Sequence, residues 1–177
     1  MERIMAAGVS HARESTSAQW KITVGESLVA SGAATVSFVL LDLPVWAMFI
    51  GWIAYFTRGI DFRHGAINFA CVLVGLACGM AAALGLHALG PHLGAWTITV
   101  VVFSVAMVVV SLRLVPVFNN LLGFFLGLVS YFASHLPPSG MTFVKLGVAA
   151  AVGSIAGWLA SLVQKHWSAK VRATPAV

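Results

Sequence analysis

Charged residues are scarce in this sequence. Only 8% of its 177 residues are charged, while 60% are hydrophobic, and the mean hydropathy is +0.96. A soluble domain carries about 25% charged residues, so this composition excludes a water-soluble globule and makes lipid the solvent for most of the surface. The backbone must then satisfy its own hydrogen bonds, in helices or in a closed barrel. The apolar runs are long and do not alternate strictly, which predicts an all-α membrane protein.

Acidic residues are especially few, and their placement bears on catalysis. The chain has five: Glu2, Glu14, Glu26, Asp42 and Asp61. No two of them lie at helical spacing within one apolar run, and the sequence contains no nucleophile elbow, phosphate-binding loop or zinc-ligand pattern. We therefore expect no enzyme activity, no catalytic residues, no cofactor and no metal.

Cysteine is also rare, and the positive charges do not form a cluster. Cys71 and Cys78 lie in one apolar run, about 10 Å apart along a helix axis, so they cannot pair within it and are read as small packing residues. The net charge of +5 is not concentrated in a basic cluster with interleaved aromatic residues. We expect no nucleic-acid partner, and an uneven distribution of Lys and Arg across a membrane accounts for the charge.

Six apolar runs approach the length of about 20 residues that a transmembrane helix needs. They are Ile22–Leu41, Leu43–Thr57, Gly65–His87, Leu93–Leu112, Val115–Ser134 and Met141–Val163. The second has only 15 residues, so we expect it to tilt less, to thin the bilayer locally or to break. The sequence therefore predicts six transmembrane helices.

Lysine and arginine lie almost entirely on one side of these predicted spans. With the amino terminus in the cytoplasm, nine of the ten are cytoplasmic and only Lys145 lies on the other side. Cytoplasmic loops are enriched in Lys and Arg, so both tails, residues 1–21 and 164–177, are predicted to be cytoplasmic. The first tail has no apolar run before Lys21, so we do not expect it to be a signal peptide. His87, His92 and His135 then face outward, as sensors of external pH or as polar loop residues.

Two halves of the chain share an order of features. The stretches "LPVWAMFIG" (43–51) and "VPVFNNLLG" (115–123) place Pro-Val, an aromatic residue and a glycine at the same spacing. Small residues recur every four positions in the third and sixth predicted helices. They include the predicted helix-packing glycines Gly75, Gly79, Gly153 and Gly157, since small faces let helices approach closely. The offset between matching features grows from 72 to 78 residues, with four extra residues assigned to the fifth helix. This order predicts a 3+3 inverted repeat with units 22–87 and 93–163.

Three stretches carry a resemblance to a known family. They are "DLPVWAMFIGWIAYFTRG", the pair Asn68-Phe69 with the glycine-rich helix that follows it, and "PVFNNLLGFFLG". Together they resemble a bacterial inner-membrane family known as domain of unknown function 1097, over about Ser27 to Val163. The resemblance implies a small multi-pass protein of the bacterial inner membrane, and it implies no particular activity.

Asn119 and Asn120 are the strongest neutral polar groups in the predicted spans. They are predicted to lie one turn into the fifth helix, after Pro116, where the matching first-half positions are Ala47 and Met48. Two amides in lipid are costly unless they face protein or water. They are read either as a polar constriction near the cytoplasmic mouth of a solute path, or as interhelical hydrogen-bonding groups or helix caps.

Asn68, Glu26 and Lys145 lie near the starts of the third, first and sixth predicted helices. Asn68 and Glu26 are further candidates for a solute path, and the alternative is that each side chain reaches the nearby interface. Lys145 has the same alternative, and its other interpretation is a pair with Asp42, since both belong to the outer side.

The centres of the predicted spans hold small polar groups such as Thr35, Ser37 and Ser104, but no charge. Coupled transporters usually place an ionisable residue there. The sequence therefore favours a passive channel or facilitator for a small uncharged polar solute. The alternative is a non-transporting scaffold or accessory subunit. The expected partners are the lipid bilayer, a small neutral solute and further copies of the chain.

Overall fold

The computed structural model describes residues 2–173, and over this range the chain is helical with no strand. Its helices are α1 (Glu2–Thr35), α2 (Val45–Phe56), α3 (Phe62–Leu93), α4 (Thr97–Leu112), α5 (Leu121–Ser134) and α6 (Gly140–Ala173). A π-helical turn at Val36–Leu40 continues α1, and a 3-10 turn at Gly94–Trp96 precedes α4. The first helix therefore extends back through most of the predicted amino-terminal tail.

Three stretches are long and apolar enough to cross a membrane. They are Gln19–Leu40, Phe62–Leu112 and Gly140–Ser168, and α2 and α5 are shorter apolar helices. The middle stretch has 51 residues, or about 76 Å as one straight helix, against about 30 Å for the hydrocarbon core. It reverses at Gly94, where φ is +51°, and Thr97 Oγ1 then donates a hydrogen bond back to the Leu89 carbonyl at 3.4 Å. Thus α3 and α4 form a hairpin, and the apolar helices are those of a multi-pass membrane protein.

The fifth helix begins at Leu121, and the prediction that it begins at Val115 was wrong. Residues 113–120 form successive turns, including a hydrogen bond from the Phe118 N–H to the Val115 carbonyl at 3.0 Å. Pro116 therefore lies in the connection and does not start the helix. Asn120 starts it, because its side-chain oxygen accepts the Gly123 N–H at 3.1 Å and so caps one of the free amides of the first turn.

The short helix of each half packs against the long helix of the other half. In the first crossing, α2 lies on α6. A Cβ atom on Gly153 would collide with the Met48 carbonyl, and a Cβ atom on Gly51 would collide with the Ala150 carbonyl. Glycine at these two positions therefore lets the two main chains touch.

The second crossing, of α5 on α3, is built in the same way. A Cβ atom on Gly75 would collide with the Phe124 carbonyl, and one on Gly127 would collide with the Val72 carbonyl. One helix turn further along the long helices, Gly79 faces the Tyr131 side chain. In the first crossing, Gly157 correspondingly faces Tyr55. All four glycines predicted to pack helices lie at these two crossings.

The two crossings use residues at constant offsets. The short helices correspond at 76 positions, as in Gly51 and Gly127, and the long helices at 78, as in Gly75 and Gly153. At the two crossings the position of Gly51 is therefore matched by Gly127, four residues after the Gly123 of the sequence-based match. The four extra residues of the second half lie before α5, in the connection 113–120, because α5 begins only after the Asn120 cap. The prediction that they fall within the fifth helix was wrong.

The two remaining helices lie outside this central group of four. Gly25 of α1 faces Val163 of α6. Val109 of α4 is buried against Cys71 of α3 and Phe124 of α5. Each outer helix therefore packs mainly on a long central helix, α1 on α6 and α4 on α3.

Charged residues mark the two ends of the bundle. At one end, called the basic end below, Lys165 Nζ donates to the Ile60 carbonyl at 2.7 Å, Arg58 donates to the Val117 carbonyl at 3.3 Å, and the Lys21 ammonium lies 5.1 Å from the centre of the Trp167 ring. At the opposite end, Lys145 Nζ is 3.6 Å from an Asp42 carboxylate oxygen. The predicted pair of Lys145 with Asp42 is confirmed.

Candidate functional site: the buried asparagine pair

Asn120 and Asn68 form a pair of buried amides between α5 and α3. Asn68 is fully buried and Asn120 is 6% exposed. Asn120 Nδ2 donates to Asn68 Oδ1 at 2.8 Å and to Thr57 Oγ1 at 2.6 Å. Asn68 Nδ2 donates in turn to the Tyr55 carbonyl at 3.2 Å. The pair therefore connects the end of α2, the second turn of α3 and the first turn of α5.

Hydrogen bonds offset most of the cost of burying these amides. Asn120 uses both N–H groups on Thr57 and Asn68 and its oxygen on the cap of α5. The Thr57 hydroxyl donates onward to the Ala54 carbonyl at 2.7 Å. A buried amide without partners would cost about 1–3 kcal/mol in a protein, so each member of this network depends on the others.

Arg58 binds the connection between α4 and α5, beside the amide pair. Its guanidinium donates to the Val117 carbonyl at 3.3 Å and to the Pro116 carbonyl at 3.5 Å. These carbonyls belong to segment 113–120, which connects α4 to α5. The amide pair and Arg58 together link the end of α2 to the start of α5 and the segment before it.

The predicted path residues do not all meet at this site. Asn68 and Asn120 are in contact, whereas Asn119 is exposed in the connection before α5. Glu26 lies half-buried on α1, next to Gly25, which faces α6. The prediction that both asparagines lie one turn into a helix was wrong, because Asn120 is the cap of that helix. Its structural counterpart is Pro44, the cap of α2, and not Met48.

The sequence did not predict Tyr55 and Thr57 as partners of the pair, and it indicated Ser161 only as a small packing residue and not as a hydrogen-bonding one. The Tyr55 hydroxyl is 3.1 Å from Ser161 Oγ, and Ser161 Oγ lies 2.7 Å from the Trp158 carbonyl, to which it can donate. The recurrence of Tyr-Phe at 55–56 and 131–132 was the available signal for Tyr55. Thr57 carried no signal, since a threonine at a helix end is an ordinary interface residue.

Ser37, one of the small polar groups predicted at the centres of the spans, is buried in the structure. It lies in the π-helical turn after α1 and is fully buried. Among residues 19–168, whose side chains are described, its hydroxyl is the buried side-chain group without a hydrogen-bond partner. Its carbonyl accepts the Leu43 N–H at 2.8 Å and so fixes the turn into α2.

Three cavities between the described helices have apolar walls. One of about 320 Å³ lies between α3 and α6, one of about 280 Å³ between α3 and α4, and one of about 120 Å³ between α4 and α5. Among the described residues, no three His, Cys, Asp or Glu side chains gather where they could bind a metal ion. The polar chemistry of the bundle interior therefore centres on neutral hydrogen bonds between helices.

Comparisons with known proteins match this picture at the level of family. A family model described as "Protein of unknown function (DUF1097)" matches residues 23–163, which include all of α2 to α5, parts of α1 and α6, and most of the chain. Searches of curated proteins and of solved structures gave no match.

Proposed function

The chain belongs to the DUF1097 family of proteins of unknown function, and from its geometry we propose that it is a non-transporting scaffold or accessory subunit of the bacterial inner membrane. In this proposal it has no enzymatic activity, and it acts through helix surfaces that meet lipid, further copies of the chain or another membrane protein.

The first element of the proposal is a 3+3 inverted repeat of residues 22–87 and 93–163. The two crossings at Gly51–Ala150 and Gly127–Val72 support it, because they use the same pairs of positions at constant offsets. The helix caps support it as well. Asp61 accepts the His64 N–H at 2.8 Å, and Ser139, 78 positions later, accepts the Thr142 N–H at 3.2 Å.

The second element is six crossings with both termini in the cytoplasm. The helix α2 runs from the end with Asp42 to the end with Arg58, and α5 runs back from the basic end. As helices they are only about 18 Å and 21 Å long, so the turns at 41–44 and 113–120 must complete each crossing or the bilayer must thin. The concentration of Lys and Arg at the basic end supports its assignment to the cytoplasm.

The observation that carries the scaffold function is the filled axis between the halves. At Gly51, Gly75, Gly127 and Gly153, main chain lies against main chain, which leaves no room for a solute between α2 and α6 or between α3 and α5. The polar pair Asn68–Asn120 is occupied by its own hydrogen bonds. Rigid, closely packed cores of this kind suit a protein that presents fixed surfaces.

A facilitator for a small uncharged solute is the second candidate, and the Asn68–Asn120 pair favours it. Neutral amides can replace water around an uncharged solute without trapping it. In this alternative the pair is a closed constriction at the basic end, which opens when the hydrogen bond between the two amides breaks.

Liposome flux distinguishes the two functions. We expect urea, formamide and ammonia to cross liposomes that contain the protein no faster than they cross protein-free liposomes. Flux above that background that is slowed by Asn120→Leu, but not by Asn119→Leu, would replace the scaffold with the facilitator. Flux above background that neither substitution slows would also exclude the scaffold, and would place the path away from the amide pair.

A further inference from the structure

The largest of the three apolar cavities opens at the surface near the basic end. Its walls are the first turns of α3, at Phe62, Ala66 and Phe69, and the facing turns of α6, at Ile155 and Trp158. Phe62 is 71% exposed and Ile155 is 58% exposed, so the cavity is a groove that opens to the surroundings of the protein. We refer to it as the α3–α6 groove.

The groove is not a necessary result of the fold. The equivalent place in the other half, 78 positions away along the long helices, is filled. There Phe143 takes the position of Gly65, and Leu76 takes the position of Ser154. Leu76 is buried, and Phe143 packs against its cluster. The small residues Gly65 and Ser154 therefore keep this one groove open.

Basic side chains lie at the end of the groove. Lys165 is two helix turns beyond Trp158 on the same face of α6, and its ammonium reaches the Ile60 carbonyl just before α3. An ammonium has three N–H donors, so two remain for another ligand. Arg63 is exposed on the first turn of α3, one turn before Ala66.

The acidic residue Asp61 lies near the same end of the groove and contributes to its net charge. Asp61 accepts hydrogen bonds from the His64 backbone N–H at 2.8 Å and from the His64 ring at 2.7 Å. The backbone bond, and then the ring, hold the pKa of Asp61 below its usual range, so the carboxylate is charged at neutral pH. With Lys165 and Arg63 positive and Asp61 negative, the end of the groove retains a net positive charge.

We propose that the α3–α6 groove binds one acyl chain of an anionic phospholipid, whose phosphate is held by Lys165 and Arg63. The apolar walls match an acyl chain, and basic pockets between transmembrane helices bind acidic headgroups. The Phe62 and Trp158 rings, with centres 6.1 Å apart, belong to the walls of the groove, and aromatic residues commonly lie at the level of the headgroups. Because the end of the groove has a net positive charge, it should bind an anionic lipid more tightly than a zwitterionic one.

Thermal unfolding of the delipidated protein in a neutral detergent tests this site. We expect phosphatidylglycerol to raise the Tm by about 3 °C more than phosphatidylcholine with the same chains, because a ligand that binds only the folded state stabilises it. The double substitution Lys165→Gln and Arg63→Gln should abolish this difference. Arg113→Gln, which removes an exposed basic residue at the end of α4, should keep it.

A second pair of variants tests the groove itself. Ala66→Phe fills the groove from an exposed position. Val144→Phe introduces the same side chain at the exposed position of α6 that lies 78 residues later. Only Ala66→Phe should remove the response to phosphatidylglycerol, with the lipid-free Tm of each variant as its own baseline. Equal shifts with the two lipids, or a full response in either the double variant or Ala66→Phe, would overturn the proposal. An equal shift with inorganic phosphate would also overturn it, because that would show a headgroup site without a chain.

Discussion

At the scale of single residues, Asn119 and Asn120 are neighbours with opposite environments. Asn120→Leu removes three hydrogen bonds and leaves the Asn68 oxygen buried without its donor. We expect it to lower the free energy of unfolding by about 2 kcal/mol, which is a fall in Tm of about 6 °C for a chain of this size. Asn119→Leu should change the Tm by less than about 2 °C, because Asn119 is exposed. Similar losses in the two variants in detergent would contradict the assigned network.

Tyr55 and Tyr131 allow a comparison between the halves. Tyr55 is 2% exposed and its hydroxyl meets Ser161, whereas the residue 78 positions before Ser161 is Ala83, which has no hydroxyl. Tyr55→Phe should therefore cost about 1 kcal/mol of unfolding free energy, and Tyr131→Phe should cost clearly less. Chemical or thermal unfolding of both variants measures the difference, and a larger loss for Tyr131→Phe would be incompatible with the buried hydroxyl pair.

The residue scale also shows what sequence can and cannot predict. The pairing of Lys145 with Asp42 followed from two opposite charges expected on one side of a membrane. The pairing of Asn68 with Asn120 did not, because the two residues are 52 positions apart and nothing in their types selects one amide partner over another. Long-range contacts of neutral polar groups depend on how two helices are aligned against each other, and no local sequence pattern predicts that alignment.

At the scale of helices, backbone contact at glycine makes the sharpest prediction. A methyl group on Gly75 or Gly153 would overlap the carbonyl of the facing helix, so we expect Gly75→Ala and Gly153→Ala each to cost more than about 2 kcal/mol of unfolding free energy. Gly32→Ala is the matched control. Its new methyl group would meet nothing within 4 Å, and alanine favours helix. A Tm for Gly153→Ala equal to that of Gly32→Ala would refute the close crossing of α2 and α6.

The accuracy of a predicted helix boundary did not follow the length of the apolar run. The second predicted helix and α2 differ by two residues at the start and one at the end. The fifth was misplaced at its start by six residues, because a proline was taken as the start signal although the Asn120 cap is the stronger one. Proline tolerates both a first helical turn and a loop, whereas a side-chain oxygen on the Gly123 amide acts only at a helix start.

At the scale of the whole molecule, the pairing of helices between the two halves of the chain was the main feature that the sequence did not predict. Matching Pro44 with Pro116 aligned two loops of different length. The crossings are instead set by glycines against carbonyls in the other half, as at Gly51 and Ala150, which are 99 positions apart. Such contacts leave no local pattern beyond a small residue every four positions, so the packing glycines could be predicted while their partners could not.

The six-crossing proposal rests on the unequal charge of the two ends of the bundle. Because Lys21, Arg58 and Lys165 lie at one end and the pair of Asp42 with Lys145 lies at the other, the positive-inside rule orients the bundle. Reporter fusions at Gly90 and Ser139 should give periplasmic signals, and a fusion at Val177 a cytoplasmic one.

The fusion at Gly90 is the most informative of the three, because it follows an odd number of crossings only if the short α2 crosses the membrane. A crossing by α2 places Arg58 and Arg63 in the cytoplasm and Gly90 outside. If α2 turned back within the bilayer, the loop with these arginines would lie outside and Gly90 would report from the cytoplasm. That result would place Arg58 and Arg63 on the outer side, against the membrane potential that normally keeps positive charges in the cytoplasm. It would also reduce the six crossings to five at most. A periplasmic signal at Gly90 that persists in the double variant Arg58→Gln and Arg63→Gln would show that the packing of α2 on α6, and not loop charge alone, maintains the crossing.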